Sequence, residues 1–201
     1  MHLRPAFIET DPDRIAALIA AYPFGLLVTY GAEGLQASHL PFVMTHDNDG
    51  LFLDGHLAAG NPQCDAIAGG AALAVFSGPH AYISPGWYRT GPAVPTWDYA
   101  AVHVHGQLHS LDQEALAVTM RALSRDDPGG FDFEALAPRY RDGMMAAVRG
   151  FRLRAERVEA QWKMSQNRSV ADREGIIAAL RARGEPAVAD LVAATLPARA
   201  G

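Results

Sequence analysis

Residues 24–57 read FGLLVTYGAEGLQASHLPFVMTHDNDGLFLDGHL. Two short turn segments, GAEG at 31–34 and THDNDG at 45–50, cut this stretch into three runs rich in aliphatic, aromatic and β-branched side chains. Such runs, bounded by glycine, asparagine and aspartate, predict strands over 24–30, 35–44 and 51–57. Turns this short join antiparallel neighbours, because a parallel partner needs a crossover of about a dozen residues or more.

Outward from this stretch the pattern alternates between strands and isolated helices. TDPDRIAALIAAY at 10–22 predicts a helix, with Thr10 and Asp13 spaced as a capping box, Pro12 early and an apolar stripe of Ile15, Leu18, Ile19 and Tyr22. NPQCDAIAGG at 61–70 predicts a short helix capped by Asn61. AALAVFSG at 71–78 is a fourth strand, and the proline-rich segment 79–95 reads as a functional loop. TWDYAAVHVHGQLHSL at 96–111 is a long strand, with His103, His105, Gln107 and His109 on one face and Val102, Val104 and Leu108 on the other. Helices follow at 112–125, capped by Asp112, and at 138–148, then a strand over 150–162. Ser169 and Asp172 form a second capping box, and Gly184-Glu185-Pro186 separates two closing helices. About six strands on short turns, with helices in no βαβ rhythm, predict a mainly β antiparallel barrel with peripheral helices.

Composition narrows the chemistry. Over 201 residues the net charge is -5, which argues against a surface made for nucleic acid or anionic lipid. Cys64 is the single cysteine, so no internal disulfide forms. No apolar run approaches membrane length, no signal peptide is read at the start, and a cytoplasmic protein is expected. No GxSxG, GxGxxG or GxxxxGK[ST] occurs, and no acid–base pair commits the chain to a reaction. His103 and His105 could hold a metal only with a third ligand from a neighbouring strand, and no acidic residue stands beside them at ligand spacing. Strand histidines bonded to backbone or solvent are the simpler reading, and no metal is expected. The closing helices have the connection of a helix-turn-helix, but PAVADLVAATL at 186–196 carries no basic residue before Arg199, so they are read as a cover.

The segment WKMSQNRSVADREG at 162–175 stands apart. Lys163 is the sole lysine in a chain whose lysine and arginine together number 17. It is followed by Ser165, Gln166, Asn167 and Arg168. Lysine offers a compact charge with three donors where arginine offers a planar fork, so a site that keeps one lysine suggests a need for a point charge. The plainer alternative is an exposed lysine in a strand-to-helix turn, without a part in folding.

ETDP at 9–12, SHLPF at 38–42, GHLAAGNPQ at 55–63, AYISPGWY at 81–88, VPTWDYAAVHVHG at 94–106 and WKMSQNRSVADREG together resemble the PaiB-type family. Its members are labelled negative transcriptional regulators and are related to FMN-binding split barrels such as the pyridoxamine phosphate oxidases. The resemblance implies an antiparallel split β-barrel homodimer with FMN at each end of the dimer interface. It implies a flavin-binding domain over 1–168 and a helical appendage over 169–201, packed on the barrel or the dimer partner. The matching cofactor positions are Ser38, His39, Leu40, His56, Leu57, Asn61, Trp97, Tyr99, Lys163, Gln166, Asn167 and Arg168. Five residues depart from the family pattern. Ala59 and Gly60 stand where a basic residue is expected, Arg89 where a lysine is, Asp98 where an asparagine is, and Gln161 where a lysine is. The implied function is that of an FMN-binding flavoprotein. The alternatives are a repressor with little flavin chemistry, for which the charge gives no DNA-binding support, and a flavin-dependent oxidoreductase.

Overall fold

Side chains alternate between buried and exposed along most of the strands. The computed structural model describes residues 1–47 and 50–198. The strands are β1 (Ile8–Glu9), β2 (Phe24–Gly31), β3 (Gly34–Pro41), β4 (Val43–Asp47), β5 (Gly50–Ala58), β6 (Ala71–Ile83), β7 (Thr96–Ser110) and β8 (Val148–Lys163). Their hydrogen-bonded order is β3-β2-β6-β7-β8-β5-β4, with β1 on β8. The pairs with assigned register are antiparallel. The helices are α1 (Pro12–Ala21), α2 (Gln113–Leu123), α3 (Pro138–Ala146), α4 (Val170–Ala182) and α5 (Pro186–Ala193). None of the described helices is long and apolar enough to cross a membrane.

Several boundaries differ from the sequence expectation, among them the start of β8 at Val148, a residue expected at the end of the preceding helix. The strand expected over 35–44 is two strands, broken at Phe42. Pro41 has no N–H to extend the ladder, and the buried Phe42 gives its N–H to Pro23 O at 2.9 Å. The fourth strand runs on to Ile83: past Pro79 the buried positions change from even-numbered to odd-numbered residues, and buried Ala81 and Ile83 alternate with exposed Tyr82. The loop therefore starts at Ser84. The first helix is capped by Asp11 rather than by Thr10: Asp11 Oδ1 accepts from Asp13 N at 2.9 Å. The turn expected over 45–50 includes residues 48 and 49, and Arg199 likewise lies outside the described residues.

The chain forms two compact units. The first comprises Ala16–Phe76 and His103–Val158. Here β2 pairs with β3 in the register Leu27↔Ser38, and with β6 in the register Leu27↔Ala74. β5 pairs with β4 and with β8 in the register Leu53↔Leu153. Phe42 packs edge-on against Phe76 and Phe151, at centroid distances of 5.2 and 6.0 Å. Gly106 is required where β7 meets β8, since a Cβ there would lie 1.9 Å from Arg154 O.

The second unit comprises Met1–Ile15, Ser77–Val102 and Glu159–Gly201. Its core holds Ile83, Val102, Met164, Ile176, Leu180 and Val192, each without exposed surface. The loop after β6 is fastened to α4. Asp172 accepts from Arg89 N at 2.7 Å, Thr90 N at 3.0 Å and Thr90 Oγ1 at 2.7 Å. Those bonds, led by the Thr90 hydroxyl, hold the Asp172 carboxyl down to about 2. Gly175 lets the loop close on the helix, because a Cβ there would sit 2.3 Å from Trp87 O. The Ser169 cap is present, accepting from Asp172 N at 3.1 Å.

Candidate functional site

In the first unit, β3, the end of β5 and the 3-10 turn Pro62–Ile67 enclose an open cleft of about 590 Å³. Gln36, Ser38, Gly60, Asn61 and Gln63 line it, and no charged residue does. Asn61 organises it from both ends of its amide. Its Oδ1 accepts from Gln63 N at 2.9 Å, capping the turn, and its Nδ2 donates to Ser38 Oγ at 3.0 Å. Gln63 is 2% exposed and its Nε2 donates to Leu27 O, Thr29 Oγ1 and Gln36 O. Those three acceptors fix the amide orientation and leave Gln63 Oε1 buried without a hydrogen-bond partner. A buried acceptor left unmatched costs free energy of about 1–3 kcal/mol.

The other predicted residues of this unit differ in what they can offer. Leu40 and Leu57, 5% and 3% exposed, put their side chains in the core, so only their backbone can meet a ligand. His39 is exposed and stacks on Phe24, with centroids 6.2 Å apart. His56 Nδ1 is buried without a hydrogen-bond partner, and burial holds the ring below its ordinary pKa, hence neutral. Gln36 and Gln63 were not among the predicted positions. The periodicity of a strand and the cap at Asn61 put them near Ser38, but their convergence needs the register of β2 with β3. The histidines at 103 and 105 share a face of β7 as expected, with centroids 6.4 Å apart.

In the second unit, Trp97 is 54% exposed and forms an aromatic surface cluster with Tyr82 and His80, at centroid distances of 6.1 and 6.2 Å. Tyr99 Oη accepts from Gln161 Nε2. Lys163 is not the exposed lysine of the plainer sequence reading. Its side chain is 20% exposed, and Nζ donates to Thr96 Oγ1 at 2.6 Å and to Trp97 O, 3.6 Å from Asp98 Oδ1. Asp98 has no exposed surface, and its Oδ2 accepts from Ser165 Oγ at 2.7 Å. Burial pushes the Asp98 carboxyl up and the Lys163 ammonium down, each against the pull of the other. Ser165 has a φ of 55°, a left-handed conformation unusual for a residue with a side chain. Gln166 ties the turn internally, accepting from Met164 N at 2.7 Å and donating to Trp162 O. Asn167 is exposed, and the Arg168 guanidinium lies 4.4 Å over the Tyr88 ring. The departure at Asp98 thus has a structural correlate: the carboxylate is the buried partner of the single lysine.

FMN combines a polar ring, a hydroxylated ribityl chain and a dianionic phosphate. The uncharged cleft, with its amides and hydroxyl, fits the first two. When bound, FMN supplies electron transfer, which none of the side chains here provides.

Comparison with known proteins gives the family. Residues 1–157 match the family described as "Putative FMN-binding domain". The chain is 33% identical over 198 residues to the Bacillus subtilis "Protease synthase and sporulation protein PAI 2", covering 92% of each chain. Among solved structures, the flavocytochrome Anf3 from Azotobacter vinelandii superposes with a TM-score of 0.64 at 13% identity, over 80% of this chain and 72% of that one. The FAD and heme binding protein from Mycobacterium smegmatis gives 0.60 at 14% identity, over 78% and 73%. At these identities the structures speak for the fold, a mainly antiparallel split barrel with a few helices. Since the family match takes in residues 1–157 and the Bacillus relative runs the length of both chains, this chain belongs to the FMN-binding family of PaiB-type proteins.

Proposed function

We propose that this chain is a redox flavoprotein, and that the cleft of Gln36, Ser38, Asn61 and Gln63 takes the uncharged part of FMN. The observation that carries this reading is the cleft itself, uncharged and lined by the amides of Gln36, Asn61 and Gln63 and the hydroxyl of Ser38. His39, Leu40, His56 and Leu57 belong to the strands that form the cleft or adjoin it, and are assigned with it. Trp97, Tyr99, Lys163, Gln166, Asn167 and Arg168 are assigned to the cofactor as a second group, by family resemblance. The barrel residues 1–168 carry the flavin, with 169–201 as a helical appendage that anchors the loop after β6.

A DNA-binding repressor is the poorer reading. α5 carries no basic residue and buries Val188, Ala189 and Val192, so it has no basic side chain with which to read bases. On α4, Arg173 is buried and Arg181 is engaged with Asp190 at 3.1 Å. Homodimerisation accompanies the flavin reading, and the exposed cluster of Tyr82 and Trp97 supports it, since solvated aromatic patches favour association.

Titration of the apo protein with FMN, followed by quenching of flavin fluorescence, tests the proposal. We expect saturable binding of one FMN per chain, weakened about three- to tenfold by Ser38→Ala, the loss of one neutral hydrogen bond. Wild-type protein that leaves flavin fluorescence unchanged would overturn it.

A further inference from the structure

The cleft, proposed for the neutral part of FMN, offers no charged side chain for its phosphate. Its lining is uncharged. The Gln63 N–H at the start of the 3-10 turn is already taken by Asn61 Oδ1. The GHLAAGNPQ segment has Ala59 and Gly60 where the resemblance leads one to expect a basic side chain. A phosphate monoester is a dianion at neutral pH and draws charged donors.

One cation stands beside this segment within the same unit. Arg149, on β8, is directly opposite Leu57 of β5, and the next pair is Ala58↔Val148, Ala58 being part of the cleft wall. Ala59 N donates to Ala147 O at 2.8 Å, tying the segment to the chain just before Arg149. The charge of Arg149 reaches Cys64 in the 3-10 turn, where it opposes the upward push of burial on the thiol. The guanidinium is exposed. Among the described residues only Nη1 is engaged, donating to Ala146 O at 3.1 Å and Val148 O at 3.0 Å. Among the described residues Arg149 makes no ion pair, whereas Arg152 is held by Asp54, and Arg121 and Arg141 by Glu134.

We infer that Arg149 is the phosphate-binding residue of the cleft, supplying from the start of β8 the positive charge that Ala59 and Gly60 do not. Its unused Nε and Nη2 present the fork that suits two phosphate oxygens. It also explains how the chain can dispense with a basic residue in this segment. The inference rests on the reading that the cleft holds FMN, and it specifies phosphorylated over unphosphorylated flavin.

The test compares FMN with riboflavin, which lacks only the phosphate, on wild-type protein, Arg149→Met and Arg149→Lys. Arg149→Met is expected to weaken FMN about 10- to 100-fold, the loss of a charged hydrogen bond, while riboflavin affinity stays within about twofold. Arg149→Lys should restore part of the FMN affinity, and rising salt should weaken FMN on the wild type more than on Arg149→Met. The apo melting temperature of Arg149→Met should match the wild type, as for an exposed side chain. A wild type that prefers FMN together with an Arg149→Met variant that keeps the preference would overturn the assignment and leave the cofactor reading intact. A wild type that binds neither flavin would remove both. A wild type that binds both flavins equally would remove the phosphate site alone.

Discussion

Lys163 Nζ lies 3.6 Å from Asp98 Oδ1, and that carboxylate has no exposed surface. Ser165 holds the other oxygen, so one buried anion fixes the last residue of β8 and the turn that follows it. The lysine that looked like a bare point charge in the sequence is therefore a structural partner as well.

Replacing it tests this. In Lys163→Met the Asp98 carboxylate stays buried with only Ser165 to stabilise it. Because Lys163 keeps some solvent contact, the cost should fall at or below the low end of the 3–5 kcal/mol range for a broken buried pair, about 2–3 kcal/mol. Denaturant unfolding of the apo protein measures it. A stability equal to wild type would return Lys163 to the plainer alternative, a lysine without a part in folding.

Asp172 gives the fold an acid-sensitive clasp. Its folded pKa of about 2 lies below the ordinary 3.8, so its contribution is complete above about pH 4 and is lost as pH falls through 2. In melts taken from pH 6 to pH 2, wild type should exceed Asp172→Asn most at the upper end. The gap should narrow toward pH 2. A gap that is constant with pH would mean that the loop is held by something other than the charge.

Two helical glycines should respond to alanine with opposite signs. Gly143 in α3 has open space where a Cβ would project, with nothing within 4 Å, so Gly143→Ala should stabilise by about 0.5–1 kcal/mol through helix propensity. At Gly175 in α4 the added Cβ would meet Trp87 O at 2.3 Å, and Gly175→Ala should destabilise by about 1–3 kcal/mol despite the same propensity gain. Thermal melts of the two variants side by side decide it, and two shifts of the same sign would contradict the packing of the loop on α4.

The exposed aromatic pair bears on assembly. Tyr82→Gln with Trp97→Gln should leave the melting profile of the isolated chain nearly unchanged, since the residues are 44% and 54% exposed. Scattering at micromolar concentration should show a shift from dimer toward monomer. A doubly substituted protein that remains fully dimeric would place the interface elsewhere.

Much of the fold was legible along the chain. Alternation along 96–111 put Val102, Val104 and Leu108 on one face, and each is now without exposed surface. The caps at Asn61, Asp112 and Ser169 are local, since each side chain accepts from a backbone N–H two or three residues on. The misread boundaries had equally local causes that tertiary packing settled. Phe42 left the ladder for the core, and β6 continued through Pro79 because its inward residues remained apolar. Gln36 and Gln63 escaped notice because nothing in their immediate surroundings marks them. They meet only once β2 and β3 are paired.

What the sequence determined by itself is what depends on neighbours a few residues apart: strand and turn positions, helix caps, the inward face of each strand, and the motifs that mark an FMN-binding family. What the tertiary structure decided depends on groups far apart in the chain. Ser165 reaches Asp98 across 67 residues, Asp172 reaches Thr90 across 82, and Gln63 reaches Thr29 across 34. The spacing of residues carries the first kind of information because backbone hydrogen bonding and side-chain periodicity repeat every two to four residues. It cannot carry the second, because which polar groups meet inside is set by strand register and loop closure. Burial then makes those meetings energetically decisive, since a polar group taken out of water must find its partner there.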